Sequence, residues 1–353
     1  MDKAREWTDE KLEQMEKEIS DIYSEAQSDL TKKWNAYMER GKKRLSTLYE
    51  KAQAEIKDNK LNGTSEDKAQ KAYEAAVRNY TLKNDDYKAM VDATTDKLAH
   101  TNEIALAYSN DQLPDIYTKN WAQVGEDLDG IDLSFTEDNG KTIKKIVSED
   151  TVKRMIKTGD VTTPFMRSPK YLNIPKDKRW NTKQINSSVL QGILQGESMQ
   201  DIAKRLLPIV DRNASAAIRN ARTLVTGAEN LGRNDSYDRL SKEGIVMKKV
   251  WLATGDERTR SWHLDMDGQE VDPDESFTDG NGNKLKCPGD PSAPAETVYN
   301  CRCGMKTHII GFRRADGSIS YVDFEDDEKN LHKKEIEAER KARLNGSRSN
   351  NQR

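Results

Sequence analysis

Four side chains in the last third of the chain carry the residue types that suit metal chemistry: His263, Cys287, Cys301 and Cys303. They are every cysteine in the chain plus one nearby histidine. Three thiolates and an imidazole make a Cys3His set, which would complete a tetrahedral zinc site. If the four converge, their ligand atoms must approach one another within roughly 4 Å. Cys301 and Cys303 are two residues apart, so on a strand both thiols would point to one side. Structural zinc sites more often use Cys-x-x-Cys, and the competing reading is three free, half-buried cysteines. Asp256, Arg258, Asp265 and Asp267 cluster around His263, and a histidine with a carboxylate is the minimum for acid–base or phosphodiester chemistry. A metal-dependent nuclease or toxin-like enzyme centred on His263 is therefore the alternative function. Against it, Thr254-Gly255-Asp256 and Met266-Asp267-Gly268 are also ordinary turn chemistry, in which Asp caps its own backbone. The chain has no phosphate loop, no His-Glu-x-x-His and no nucleophile elbow. No catalytic and no cofactor-binding residue is assigned, and the chain is read as a non-enzyme.

The elements that must position these groups are strand-like. After Gly244 the period changes, and Ile245 to Trp251 is a β-rich run with partial alternation. Asp316-Gly317 between Phe312 and Ile319 to Val322 is a hairpin signal. Upstream the pattern is helical. Residues 7 to about 60 read as one long amphipathic helix with a seam of Leu12, Met15, Ile19, Ile22 and Ala26, continuing through Leu30, Trp34 and Met38 with a drift in phase. Its apolar face packs on another helix, within the chain or from a partner. A second helical stretch begins at Ser65, and the pattern resumes over 85–106 and 115–124. Residues 151–157 form a short capped helix. Pro164, Pro169 and Pro175 mark an extended connector with Phe165, Tyr171 and Trp180 as aromatic anchors. Helical pattern returns from Thr182, Gly196-Glu197-Ser198 breaks it and caps the next helix, and a long helix covers 214–240. That helix carries Arg219, Arg222, Glu229 and Arg233 on a polar face read as solvated. The fold class is α+β: long N-terminal helices, as a hairpin or bundle, then a smaller C-terminal α+β domain.

Composition sets limits on partners. Of 353 residues 34% are charged, with 58 basic against 61 acidic and a net charge of −3. The pI is near 6.0 and mean hydropathy is −0.95. So polar a chain favours long helices with narrow apolar stripes over one large core. A dedicated DNA-binding module usually carries a clear basic excess, so duplex DNA remains only a partner for local basic faces such as the tail around Lys333, Arg340 and Arg343. No apolar run is long enough to span a membrane, and Met1 to Glu6 lacks a signal core. Cysteine confined to the last 70 residues gives no disulfide framework and fits a reducing cytoplasm.

Several blocks in order then acquire meaning together. Trp251 to Arg260 with its Asp256-Glu257-Arg258-Thr259 turn is followed by Ser261-Trp262-His263, Met266-Asp267-Gly268, and Asn300-Cys301-Arg302-Cys303. This order resembles the C-terminal domain of the phage Mu F-like minor head proteins (the head-morphogenesis family), and the helix around Ala217 to Thr223 resembles the helix before that domain's strand. The match covers roughly 180–312. The resemblance implies a minor structural protein of the head interior of a tailed bacteriophage, acting in procapsid assembly, DNA packaging or DNA ejection near the portal. Implied partners are portal, scaffold or coat protein and, through local basic faces, phage DNA, with no membrane and no small-molecule substrate. Location would be the virion, with host cytoplasm during assembly or a prophage origin. Some relatives carry toxin domains after this module, whereas here only the stretch from Glu325 to Arg353 comes after it. Some members carry Cys-x-x-Cys where this chain has Arg260-Ser261-Trp262-His263, so His263 stands where the second cysteine would be and Arg260 does not replace the first. The expected organisation is an extended helical region over 1–125, an irregular connector over 126–180, the Mu F-like domain over 181–323 and a charged tail over 324–353.

Overall fold

The computed structural model describes residues 3–61, 84–129, 135–136, 142–143, 174–195, 197–314 and 316–321, with isolated positions between 71 and 78. The expected helix from Ser65, the helix over 151–157, the anchors Phe165 and Tyr171 and the tail over 324–353 lie largely or wholly outside these residues. Among the described residues five continuous helices precede the main sheet: α1 (Lys3–Leu61), α2 (Asp85–Asp129), α3 (Ile174–Leu194), α4 (Met199–Lys204) and α5 (Leu207–Lys242). A two-residue pair, β1 (Phe135–Thr136) and β2 (Thr142–Ile143), lies between α2 and α3. After α5 come β3 (Ile245–Leu252), α6 (Ser261–Leu264), β4 (Glu270–Val271), β5 (Phe277–Thr278), β6 (Lys284–Leu285), α7 (Ala295–Val298), β7 (Gly304–Arg313) and β8 (Ile319–Tyr321). The α+β class holds, with helices first and a small sheet last.

The chain divides into two compact units, each drawing on distant segments. The first comprises Met1–Glu16, Tyr108–Ser168 and Arg219–Arg353, and the second Lys17–Ala107 and Pro169–Ile218.

The second unit is helical. Trp34 and Tyr87 bury their rings, 6.3 Å apart and edge to face. Their polar tips are satisfied: Trp34 Nε1 donates to Thr94 Oγ1 at 2.9 Å and Tyr87 OH to Asn186 Oδ1 at 2.7 Å. Burial along α1 revises the expected seam. Ala4, Thr8, Met15, Ile19, Tyr23, Ala26, Leu30, Trp34 and Met38 are buried, while Leu12 and Ile22 are only half-buried. Buried positions recur eleven apart (4, 15, 26; 8, 19, 30; 23, 34), a 3.67-residue period close to that of a straight helix. A heptad seam would drift around the helix, which is the phase drift visible in the sequence. Other boundaries also shift. The α2 helix runs unbroken through Pro114, where two helices were expected, with Leu113, Ile116, Tyr117 and Trp121 buried around it. An interior proline costs about 3 kcal/mol, less than the burial of those four side chains returns. The α3 helix begins at Ile174 rather than Thr182, with Pro175 in its first turn, where a missing N–H is harmless. Ser198 caps α4 as expected, its hydroxyl accepting from Asp201 N at 3.2 Å.

The first unit holds the sheet. Its order is β4-β3-β7-β8, antiparallel throughout, with Met247 opposite Ile309, Lys249 opposite Thr307 and Trp251 opposite Met305. The β7–β8 hairpin turns at Asp316-Gly317 as anticipated, with Gly317 at φ +84°. Of the helix face expected to be solvated, Arg219 is exposed and Arg222 half-buried, but the other two residues are buried. Glu229 and Arg233 of α5 are 4% and 2% exposed. Arg5 Nη1 donates to Glu229 Oε1 at 2.7 Å, and Arg233 Nη2 to Asn120 Oδ1 at 2.9 Å. Spacing alone could not reveal these partners, which lie more than 100 residues away. Gly232 permits the approach: a Cβ there would stand 2.4 Å from Tyr117 O.

Candidate metal centre

Trp251 lies near the end of β3, and the chain then turns sharply before α6. Asp256 organises that turn, its Oδ1 accepting from Arg258 N at 3.1 Å and from Thr259 Oγ1 at 2.8 Å. Asp267 holds the next turn by accepting from Ala253 N at 2.9 Å. Both carboxylates thus act as backbone caps, the turn chemistry weighed against catalysis in the sequence. Between these turns α6 carries His263, which is 1% exposed and packs its ring edge-to-face on Trp251 at 5.6 Å.

The other half of the site comes from the segment preceding β7. Asn300 adopts a left-handed backbone (φ +57°), and three polar residues on one face of α5 bind the backbone from Asn300 to Cys303. Thr223 Oγ1 accepts from Asn300 N at 2.9 Å, Thr226 Oγ1 donates to Cys301 O at 2.9 Å, and Asn230 Nδ2 donates to Cys303 O at 3.3 Å. Their spacing of three and four puts them in one row. Cys301 and Cys303 therefore sit in an extended segment pinned to a helix, just before the strand rather than on it. Arg302 points the other way, pairing with both Asp256 oxygens. Gly289 lets the loop after Cys287 approach α5, since a Cβ there would stand 2.8 Å from Gly227 Cα.

Three of the four expected ligands come together. His263 Nδ1 lies 3.7 Å from Cys301 Sγ and 3.7 Å from Cys303 Sγ, and the three ligand atoms are all within 4.8 Å of one another. All three residues are buried. Cys287 is outside this group. It is buried and follows Lys286, whose carbonyl bonds Lys249, and burial pushes its thiol well above the usual range. The hydrogen bond between the two thiols holds Cys303 well below its ordinary value and Cys301 well above, with His263 adding to the effect on Cys303. Asp256 is held down at about 2: burial alone would raise it, but hydrogen bonds from Arg302 and Thr259 outweigh that.

Sequence reasoning missed Thr223, Thr226 and Asn230, which interrupt the apolar stripe of α5 and so signal a polar partner on the core side. It also missed Lys249. Fully buried, its Nζ donates to Asn234 Oδ1 at 2.8 Å, Pro273 O at 2.9 Å and Lys286 O at 3.0 Å, with the Phe277 ring centroid 5.5 Å away. Its alternation with Met247 and Trp251 was the available signal.

No helix among the described residues is long and apolar enough to cross a membrane. Comparison with known proteins places the site in context. Over 318 residues the chain is 27% identical to the minor head protein GP7 of Bacillus phage SPP1, covering 86% of this chain and 96% of that protein. Over 121 residues it is 34% identical to an NAD(+)–arginine ADP-ribosyltransferase, EFV, of Enterococcus faecalis (strain ATCC 700802 / V583). That second match covers 34% of this chain but only 24% of the relative. No solved structure matches. Residues 183–306, which enclose His263, Cys287, Cys301 and Cys303, match the model of the family described as Phage Mu protein F like protein.

Proposed function

We propose that this protein is a minor head protein of a tailed bacteriophage, a structural component of the head interior acting in procapsid assembly, DNA packaging or DNA ejection near the portal. The observation that carries the reading is the extent of one match. Likeness to the SPP1 minor head protein runs through 86% of this chain and 96% of that protein, including the helical region before the Mu F-like domain. Likeness to the ADP-ribosyltransferase stops at a quarter of that protein's length. A shared module inside otherwise different proteins accounts for the second match, and we read the chain as a non-enzyme. The site geometry agrees with this: His263 is buried, and the nearby carboxylates of Asp256 and Asp267 are engaged in ion-pair and backbone contacts.

On this reading the partners are portal, scaffold or coat protein, with phage DNA a further partner through local basic faces. The test is mass spectrometry of heads and procapsids purified from induced cells. The protein should be present at a few copies per particle and retained after salt washing. Its absence from the particles would overturn the assignment. A plasmid-nicking activity dependent on divalent metal and lost in His263→Ala would favour the nuclease alternative instead.

A further inference from the structure

Cys301, Cys303 and His263 present two soft thiol ligands and an imidazole to one point, in a pocket closed to solvent. A tetrahedral zinc ion, with Zn–S near 2.3 Å and Zn–N near 2.0–2.1 Å, separates its N and S ligands by roughly 3.5 Å and its two S ligands by roughly 3.8 Å. The two N–S distances of 3.7 Å lie close to that value. Hydrogen bonding accounts for the arrangement less well. Nδ1 offers either one proton or one lone pair, so it serves one thiol well and not two at equal distance. A metal ion on the Nδ1 lone-pair axis serves both sulfurs at once.

A second observation points the same way. Buried polar atoms normally find partners. Among the described residues nine buried side-chain atoms lack one, and two of these, Thr254 Oγ1 and Asn300 Oδ1, carry lone pairs close in sequence to the ligands. Both belong to the two segments that carry the three ligands. Thr254 follows β3 in the turn that leads to α6, and its hydroxyl has no hydrogen-bond partner.

We propose that Cys301, Cys303 and His263 bind one zinc-type divalent ion through three protein ligands, that Cys287 takes no part, and that a water molecule completes the coordination. The ion would join the turn after β3 to the segment entering β7 within a small domain, the circumstance in which a structural metal contributes most. This inference stands apart from the head-protein reading: a chain found in heads without metal would remove only the metal, and a metal-loaded chain absent from heads would remove only the other.

The experiment uses the full-length protein, saturated with zinc and then dialysed against metal-free buffer, with parallel loading by cobalt. About one equivalent of zinc should remain, and cobalt should give a thiolate charge-transfer band of two-thiolate intensity. Cys287→Ser should keep the full equivalent, whereas Cys301→Ser and Cys303→Ser should each retain at least tenfold less. If those two variants do not fold, the wild-type stoichiometry and band intensity still decide. Less than about a tenth of an equivalent would overturn the proposal. So would a three-thiolate band, loss of metal in folded Cys287→Ser, or a Cys301–Cys303 disulfide in protein kept under reductant.

Discussion

Trp251 separates two buried polar centres that meet the same problem in opposite ways. On one side its ring packs on His263 at 5.6 Å, and on the other it meets Phe277 at 5.2 Å, beneath which lies the Lys249 ammonium. Lys249 has three N–H donors and three acceptors at 2.8–3.0 Å, so its bonding capacity is filled. Only the protonated amine has three donors, so the cage specifies a charged lysine even though burial lowers its pKa. The Cys–His centre is equally buried, yet its single Nδ1 stands 3.7 Å from each of two sulfurs and can bond only one of them well. A buried group that is fully bonded is structural, whereas one that is buried and underbonded is suited to take a ligand.

The largest effect expected from this contrast is at Lys249. Lys249→Met keeps the shape but strands three buried acceptors, and should cost about 4 kcal/mol in urea unfolding. Zinc or chelator should not change that loss. A cost below about 1 kcal/mol would mean the cage is not holding the sheet to α5.

A smaller effect belongs to Asp256, which braces the turn into α6 through Arg302 with side-chain exposures of 14% and 22%. Its folded pKa of about 2 lies below the ordinary value of 3.8, so the pair stabilises fully above about pH 4 and the contribution is lost as pH falls through about 2. Allowing for solvent screening of a partly exposed pair, Asp256→Asn should cost about 1 kcal/mol at neutral pH and flatten the acid limb of stability below pH 4. An unchanged acid limb would show that the pair adds nothing.

An effect of similar size is expected at Thr226. Thr226→Val removes one bond to the Cys301 carbonyl and should cost about 1 kcal/mol. Because that bond positions a ligand, zinc affinity should fall with it. Loss of stability with metal affinity intact would mean α5 supports the fold but not the site.

How much of this was legible depends on the kind of physics each part uses. The α1 helix and β3 declare themselves by period, since apolar residues must recur wherever one face is buried. Lys249 sits in phase with Met247 and Trp251, so its burial was readable although its three acceptors, 15 to 37 residues away, were not. The residue types that meet at the candidate metal centre were readable, and the pairing of Cys301 with Cys303 came from their spacing. Exclusion of Cys287 was not, because it depends on how Gly289 packs on Gly227 and where Lys286 directs its carbonyl. The solvated face assigned to α5 failed at two of its four residues for the same reason. Glu229 and Arg233 find partners in helices more than 100 residues earlier, and no local pattern records that.

The central contrast, a filled cage beside a centre built for a ligand, is tested most directly by X-ray absorption at the zinc edge on the zinc-loaded full-length protein. Two sulfur scatterers at about 2.3 Å and two nitrogen or oxygen scatterers at about 2.0–2.1 Å are expected. A first shell of light atoms alone, or one with three sulfurs, would contradict it.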